Sequence, residues 1–242
     1  MIINIITIFP ELAQAASSYS LLGKAVEKNL VEFRIINPRD FTRDRHRQID
    51  DYPYGGGPGM VMMAPPVVDA AESVNCAVND SLLLLLTPQG AVFDQKMAAD
   101  LSKLEQLTFI CGHYEGIDER IVKILRPFEV SLGDFVTMGG EFPAFAMIEA
   151  IVRLIPGVIG DQESLINESF CHGLLDYPHY TRPPEYRGEP VPDILISGHH
   201  KRIEQWRRKQ ALTRTRRLRP DLFEKFALSD SDRELLEDQS DA

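Results

Sequence analysis

The sequence predicts an α/β fold with a mainly parallel sheet, followed by a small all-α domain. Short, branched apolar runs alternate with stretches of helical periodicity over the first two thirds of the chain, and this alternation is typical of parallel sheets. The run Leu82–Leu86 is apolar without interruption, as expected of a central strand that is buried on both faces. From about Gly198 onward, helical spacing continues without strand patterns.

Five apolar runs bounded by polar or turn residues predict the strands. In chain order they are Ile2–Phe9, Val31–Ile36, Leu82–Thr87, Leu107–Cys111 and Phe128–Leu132. The first run lacks the basic flank and the cleavage site of a signal peptide, so we interpret it as a buried strand. Apolar residues at helical spacing predict the helices. These are Leu21–Asn29, Val67–Val78, Asp94–Leu104, Ile117–Leu125 and Phe142–Leu154.

The composition is that of an ordinary soluble protein. Of the 242 residues, 44% are hydrophobic and 26% are charged. No apolar run approaches the roughly 20 residues that span a bilayer. The cysteines Cys76, Cys111 and Cys171 are odd in number and widely separated, which excludes a disulfide framework and a zinc knuckle. We therefore expect a cytoplasmic protein without a membrane partner.

A basic segment interrupts a chain whose net charge is −10. Between His199 and Arg219 there are nine Lys or Arg residues and one acid, Glu204, whereas residues 221–242 contain eight acids and two bases. A basic block of this kind is typical of a helix that binds nucleic-acid phosphates, although a solvated helix face has the same composition. Trp206 within it could stack on a base or anchor the packing of the helix.

Three predicted strands end in loops that contain glycine. The loops are Thr87–Gly90, Cys111–Asp118 and Ser131–Glu141. Glycine exposes backbone N–H and C=O groups, and open parallel sheets bind ligands at the carboxyl ends of their strands. The three loops therefore predict one ligand pocket. Glu115 and Asp134 would face a cation or ribose hydroxyls there, or would be a helix cap or a surface charge.

The segment Pro53–Gly59 contains four glycines but is neither a Walker A sequence nor the GxGxxG of a dinucleotide-binding fold. It predicts either a surface turn or a backbone-lined floor beneath a substrate, and the arginines just upstream favour the second interpretation. Asp50 and Asp51 beside it are more often turn formers than catalysts.

Seven segments carry a more specific signal than any single loop. In order they are Pro38–Thr42, Asp50–Met60, Thr87–Gly90, Cys111–Asp118, Gly173–Pro183, Ser197–His199 and Trp206–Arg207. In these segments, which extend over nearly the whole chain, the sequence resembles the bacterial tRNA (guanine(37)-N1)-methyltransferases. The resemblance implies a SPOUT methyltransferase that uses S-adenosylmethionine and acts as a homodimer on tRNA with guanine at position 37.

The resemblance also implies a domain organisation with a knot, which periodicity does not predict. A cofactor-binding and catalytic α/β domain with a deep C-terminal trefoil knot would occupy residues 1–160. An interdomain linker with an active-site loop would follow at 161–197, and a helical tRNA-binding domain at 198–242. Knots are rare in proteins, so this feature depends on the resemblance alone.

The resemblance further implies the residues of each binding site. Those that would bind the cofactor are Thr87, Pro88, Gly90, Gly112, Tyr114, Glu115, Gly116, Leu132, Gly133, Asp134, Phe135, Val136, Thr137, Gly139 and Gly140. Those that would bind RNA are Asp50, Gly55, Gly56, Gly57, Asp176, His199, Arg207, Arg208, Lys209, Arg214 and Arg217.

Methyl transfer to guanine N1 requires a base for the N1 proton and a cation for the charge that develops on O6. The resemblance places the base, an aspartate in the family, at Glu168 and the cation at Arg153. Glutamate has a similar pKa but one more methylene, so Asp176 remains the alternative base. Mg²⁺ assistance is also implied, but no ligand cluster has suitable spacing. The alternative functions are a tRNA-binding protein with impaired catalysis and a SPOUT enzyme for another RNA base.

Overall fold

The computed structural model describes residues 1–74, 80–160 and 168–237. It contains two compact units, residues 1–160 and 161–242, and each is considered by itself. The first unit is built on a parallel sheet with helices, and the described part of the second is mainly helical. The predicted α/β class and the helical segment that follows it are therefore confirmed.

A five-stranded sheet, in which all neighbouring strands are parallel, forms the centre of the first unit. The strands of this unit are β1 (Ile2–Ile6), β2 (Glu32–Ile36), β3 (Asp50–Asp51), β4 (Val61–Met62), β5 (Ser81–Val92), β6 (Gln106–Ile110) and β7 (Phe128–Ser131). The sheet has the order β2-β1-β6-β5-β7, and β3 and β4 form a separate antiparallel pair.

Helices follow most strands of the sheet. They are α1 (Pro10–Ser17), α2 (Ser20–Glu27), α3 (Ala64–Ser73), α4 (Gln95–Leu101), α5 (Glu119–Leu125) and α6 (Glu141–Val152). Two have side-chain caps of the kind that satisfies free N–H groups: Asp94 accepts a hydrogen bond from the N–H of Met97 at 2.8 Å, and Asp118 accepts one from that of Arg120 at 2.8 Å.

The core consists of two apolar clusters. The larger joins side chains of β1 and β6, such as Ile3 and Phe109, to α6 through Met147. The smaller joins the alternate residues of the same strands, such as Ile6, to Val67 of α3 and Ile121 of α5. Because successive side chains of a strand point to opposite faces, the sheet is buried on both sides, and this burial fixes the positions of the strand ends.

The middle of the sheet differs from the prediction. The central strand is β6, whose five residues are all buried, whereas Leu82, Leu83 and Leu86 of β5 are only half-buried. The sequence of β6 contains the polar residues Gln106 and Thr108, so its apolar signal is weaker. Thr108 is nevertheless buried because its hydroxyl accepts a hydrogen bond from Asn4 at 2.9 Å.

The segment Thr87–Gly90 does not end its strand, so the prediction of a terminal turn was wrong. It forms a bulge inside β5: Leu86 and Ala91 both pair with Val130 of β7, and the residues between them are displaced from the ladder. The strand continues to Val92 because pairing with β7 resumes after the bulge.

The remaining differences concern the ends of elements. The first strand stops at Ile6, before the predicted Phe9, and α3 begins at Ala64 rather than Val67. The predicted end of that helix, residues 75–78, lies outside the described residues. Helix α1 was not predicted, because its small residues give weak apolar periodicity. Its signal was Pro10 at the first helical position, which favours helix initiation.

The second unit contains a hairpin and four described helices. The hairpin pairs β8 (Glu185–Tyr186) with β9 (Glu189–Pro190). The helices are Asp193–Ile196, His200–Leu218, Pro220–Phe223 and Asp230–Glu237. We call His200–Leu218 the basic helix and Asp230–Glu237 the acidic helix.

Residues before the hairpin also pack on the basic helix, so the segment interpreted as a linker contributes to this unit. Leu174 is buried, and the N–H of Leu175 donates to Thr215 Oγ1 at 2.9 Å. Trp206 is only 7% exposed and lies 6.4 Å from the ring of Tyr180. Of its two predicted roles, Trp206 therefore has that of a packing anchor. Along the described chain we find no helix with the length and apolarity needed to cross a membrane.

Candidate active site

A cavity of about 470 Å³ opens beside the bulge of β5 and the carboxyl ends of β6 and β7. The bulge of β5, the loop after β6 and the loop after β7 all line it. The predicted convergence of three loops is thus what the fold produces. All residues predicted to bind a cofactor line this cavity except Gly90 and Asp134. Gly90, at the end of the bulge, packs against the backbone of β7, and Asp134 is exposed.

Glycine is required in the cavity wall because backbones approach each other closely. A β-carbon on Gly140 would lie 2.7 Å from Cys111 Cα, and the N–H of Gly140 donates to the carbonyl of Gly112 at 2.9 Å. A β-carbon on Gly90 would overlap the backbone of Val130. The loops after β6 and β7 therefore form one continuous wall that exposes main-chain groups.

A buried carboxylate links three segments beside this wall. Glu141, whose side chain is 3% exposed, accepts a hydrogen bond from the hydroxyl of Thr7 at 2.5 Å. Its other oxygen lies 2.6 Å from Nε2 of His113, a cavity-lining residue. We call Thr7, His113 and Glu141 the Glu141 clamp. It joins the end of β1, the loop after β6 and the first residue of α6.

The Glu141 clamp is packed on both sides. The ring of Phe9 contacts the His113 ring edge-on with centroids 4.9 Å apart, and a β-carbon on Gly139 would overlap the His113 ring. Burial first, and then the negative charge of Glu141, raise the pKa of the Cys111 thiol well above its ordinary value. Cys111 is therefore a neutral packing residue and not a nucleophile.

The glycine-rich loop Pro53–Gly59 lies next to the loop after β6. Met60 accepts a hydrogen bond from the N–H of Glu115 at 3.0 Å, and a β-carbon on Gly59 would overlap the Glu115 side chain. Gly55, Gly56 and Gly57 are exposed, and all three have positive φ angles. Residues other than glycine rarely adopt such angles. Asp50 and Asp51 lie in β3, so they are strand residues and not turn formers.

Tyr114 connects this region to the cavity. Burial first, and then the negative charge of Asp50, raise the pKa of the Tyr114 hydroxyl above its ordinary value, while Arg39 opposes the shift. The hydroxyl thus lies within reach of a carboxylate and a guanidinium from the segments around the glycine-rich loop. The ring remains 44% exposed and lines the cavity.

The two candidate bases lie together in the second unit. Glu168 and Asp176 both line a cavity of about 360 Å³, as does Arg207. The carboxylate of Asp176 already accepts a hydrogen bond from the N–H of Tyr177 at 2.7 Å and lies 2.9 Å from Nε2 of His179. Glu168 is half-buried. The predicted cation Arg153 belongs to the first unit, where it follows α6 directly and is also half-buried.

The predicted RNA-binding cations of the basic helix differ in their surroundings. Arg214 and Arg217 are exposed, and so is His199 just before the helix, while Lys209 is half-buried. Arg207 is exposed and lies 5.0 Å above the ring of Tyr177. Arg208 instead donates two hydrogen bonds to Asp232 of the acidic helix, at 2.8 and 3.0 Å. Arg208 therefore joins the basic helix to the acidic helix through an ion pair.

Residues 1–225 match the family described as tRNA (Guanine-1)-methyltransferase TrmD. The chain belongs to this family. Three relatives named tRNA (guanine-N(1)-)-methyltransferase are similar over nearly their full length. One from Dictyoglomus turgidum is 52% identical over 98% of this chain and 95% of its own length. One from Clostridium perfringens is 50% identical over 98% and 99%, and one from Brevibacillus brevis is 50% identical over 98% and 97%.

The TrmD family has the SPOUT fold, and its methyltransferases imply a methyl donor of the S-adenosylmethionine type. The parallel sheet with its cavity at the strand ends fits such a donor. In the described parts of the chain no group of three or more His, Cys, Asp and Glu side chains could hold a metal ion. The described residues therefore do not provide a protein cage for the Mg²⁺ that the resemblance implies.

The Glu141 clamp of this TrmD-family member was not predicted from the sequence. His113 and Glu141 both lie within the two loops that predicted the pocket, yet nothing in their spacing reveals that they touch. Thr7 is more than a hundred positions from both in the chain. The available signal was a glutamate at the start of a strongly apolar helix, since a buried acid needs hydrogen-bond donors.

Proposed function

We propose that this TrmD-family member transfers the methyl group of S-adenosylmethionine to N1 of guanine 37 of tRNA, next to the anticodon. Family membership and the names of the full-length relatives support the reaction. The observation that carries the proposal is the single cavity that the bulge of β5 and the glycine-containing loops after β6 and β7 line together. Such a site presents main-chain donors and acceptors to a ligand.

The cavity fits the methyl donor in size and lining. Main-chain groups of Gly112, Gly133 and Gly140 would hold the polar parts of S-adenosylmethionine, and the apolar side chains Leu86 and Ile117 would contact its adenine. The bound donor supplies an electrophilic methyl group on a positively charged sulfur. Because attack on that methyl is an in-line displacement, the main task of these residues is positioning.

Guanine N1 carries a proton that must leave as the new bond forms. We propose Glu168 as the base that accepts it, and Arg153 as the cation that stabilises negative charge on O6. Asp176, whose carboxylate accepts a hydrogen bond from the N–H of Tyr177 and contacts the His179 ring, is the alternative base. Its role in this proposal is to orient the RNA-binding side of the second unit.

We propose that the exposed cations of the basic helix bind tRNA phosphates. Arg207, Arg214 and Arg217 are exposed, as electrostatic contact with a polyanion requires. The exposed backbone of Gly55–Gly57 and the side chain of Asp50 would contact the RNA near the cavity. In this organisation the α/β domain, residues 1–160, is knotted and catalytic. Residues 161–197 form the active-site loop and linker, and residues 198–242 form the tRNA-binding domain.

We propose that the chain acts as a homodimer in the cytoplasm. The loop after β7 and the start of α6 expose large apolar side chains, with Val136 at 86% and Met138 at 94% exposure. Phe135 and Phe142 are exposed beside them. A contiguous exposed apolar patch is typical of a protein–protein interface, and this one borders the proposed methyl-donor site.

The decisive experiment is methyl transfer to tRNA transcripts that lack modification. The purified chain is incubated with S-adenosylmethionine and a transcript with guanine at position 37, and the nucleosides are separated and identified by mass. We expect 1-methylguanosine from this transcript and none from a matched transcript with adenine at position 37. Tight binding of tRNA without product would instead support the RNA-binding alternative. A methylated nucleoside of another kind would support a different SPOUT reaction.

A further inference from the structure

The Glu141 clamp is a side-chain connection between the two loops that form the wall of the methyl-donor cavity. His113 belongs to the loop after β6, and Glu141 follows the loop after β7 directly. Their side chains meet at 2.6 Å, while Gly139 and Gly140 between the loop and the helix leave no side chain of their own in the contact. The position of one loop relative to the other therefore depends on this pair.

Burial of an acid in this place is costly unless the acid is fully hydrogen-bonded. The Glu141 side chain is 3% exposed, and each of its oxygens has a partner, Thr7 for one and His113 for the other. Thr7 itself accepts a hydrogen bond from the N–H of Phe9 at 2.9 Å. A chain of hydrogen bonds thus runs from the end of β1 through Glu141 to the cavity wall.

The other contacts between these two loops are made by the main chain. The main-chain hydrogen bond from Gly140 to Gly112 and the bridge between His113 and Gly139 join the same two loops. Both contacts involve glycine, and glycine has the largest conformational freedom to lose on ordering. A side-chain tie in the same place restricts that freedom before a ligand arrives.

We propose that His113 and Glu141 are positioning residues for the methyl donor, which set the spacing of the cavity wall without taking part in the chemical step. This inference rests on the proposed function, because it assumes that S-adenosylmethionine occupies the cavity. His113 lines that cavity with 15% of its side chain exposed. Donor affinity should therefore respond to the pair more strongly than tRNA affinity does.

The test uses variants that keep the approximate shape of the side chain and remove either its hydrogen bond or its charge. His113→Phe keeps a ring in contact with Phe9 and deletes the hydrogen bond to Glu141. Glu141→Gln keeps the side-chain shape and removes the charge. The matched controls are His46→Phe, an exposed histidine with only a backbone hydrogen bond to Asp44, and Glu149→Gln, an exposed acid of α6.

Donor binding is measured by calorimetric titration with S-adenosylmethionine, and kinetics are measured separately for donor and tRNA. We expect His113→Phe to weaken donor binding about 10-fold, the size of one lost hydrogen bond to a charged group, and to leave the KM for tRNA unchanged. The His113→Phe and Glu141→Gln effects should be non-additive in the double variant, because both act on the contact between these two side chains. Both controls should bind the donor as the natural chain does.

The outcomes separate this inference from the proposed function. Absence of donor binding in the natural chain would overturn the proposed function itself. Donor binding in His113→Phe within twofold of the natural chain, or additive effects in the double variant, would overturn the inference alone. Equal changes in the KM values for donor and tRNA would also overturn it. If His113→Phe does not fold, Thr7→Val, which removes one donor to Glu141 and keeps its shape, replaces it in the same comparison.

Discussion

Arg208 and Asp232 form a two-pronged ion pair between the basic helix and the acidic helix. Nε of Arg208 donates to one carboxylate oxygen at 2.8 Å, and Nη2 donates to the other at 3.0 Å. The side chain of Asp232 is 5% exposed. The hydrogen bonds from Arg208 are the largest cause that lowers the pKa of Asp232 from 3.8 to about 2. The pair therefore stabilises the second unit at neutral pH.

Asp232→Asn should destabilise the second unit at pH 7. Because the pKa of Asp232 is lower in the folded state, its contribution is fully present above about pH 4 and is lost as the pH falls through about 2. We expect a loss of about 1–2 kcal/mol, less than the full shift implies because Arg208 is partly exposed to solvent. Urea unfolding from pH 7 down to pH 2 measures it.

The control for this prediction is Asp230→Asn, since Asp230 is an almost fully exposed acid of the same helix whose ion pair with Arg233 lies at the surface. It should change the unfolding free energy by less than about 0.5 kcal/mol. If the difference between Asp232→Asn and the natural chain persists unchanged at pH 2, the ion pair is not its cause.

The same ion pair predicts that the arginines of the basic helix contribute unequally to tRNA binding. Arg217→Ala should weaken binding and lower the slope of log affinity against log salt by about 1, as expected for one lost phosphate contact. Arg208→Ala should leave that slope nearly unchanged, because Asp232 already neutralises Arg208. Filter binding across a salt series compares the two. Equal changes in slope would show that Arg208 also contacts phosphate.

Glu168→Gln should lower the rate of methyl transfer by about 100-fold or more, the usual contribution of a general base. Donor affinity should remain, because Glu168 is not among the residues that line the proposed donor cavity. Glu168→Asp, which restores the residue type of the family motif, should keep substantial activity. Single-turnover assays with saturating tRNA measure the chemical step.

The matched variant for this prediction is Asp176→Asn. We expect it to alter tRNA affinity more than the rate of the chemical step. The opposite pattern, with an active Glu168→Gln variant and an inactive Asp176→Asn variant, would transfer the role of base to Asp176.

Gly140→Ala should destabilise the first unit and weaken donor binding together. The added β-carbon would lie 2.7 Å from Cys111 Cα, so the loop after β7 must move, at a cost of about 1–3 kcal/mol. Gly160→Ala is the control because, among the described residues other than its chain neighbours, none has an atom within 4 Å of the added β-carbon. Thermal unfolding with and without S-adenosylmethionine distinguishes them. A Gly140→Ala variant with unchanged melting temperature would contradict the close packing of the wall.

Much of the first unit was predictable because its strands are short apolar runs that the sheet buries on both faces. The five strands of the sheet and their parallel arrangement follow from that pattern alone. The cavity also follows, since parallel strands place their carboxyl ends on one edge. The sequence alone could not place β6 at the centre, because Gln106 and Thr108 interrupt its apolar pattern. Both residues are nevertheless buried in the folded structure.

Features that depend on contacts between distant residues were not predictable. The Glu141 clamp joins Thr7 to residues more than a hundred positions away. The partner of Arg208 is one of the eight acids of residues 221–242, and the charge pattern does not indicate which of them it is. Periodicity carries information about one face of one element. It carries none about which side chains meet across two elements.

The bulge of β5 gives one wall of the cavity a property that an ordinary loop does not have. Ladder pairing on both sides, through Leu86 before it and Ala91 after it, fixes both ends of Thr87–Gly90 within the sheet. A ligand that contacts this wall meets a segment whose ordering entropy was already lost when the chain folded. Folding has therefore already ordered this part of the binding site. A substitution that disrupts the end of β7 should lower the affinity for the ligand even if the substituted residue does not contact the ligand.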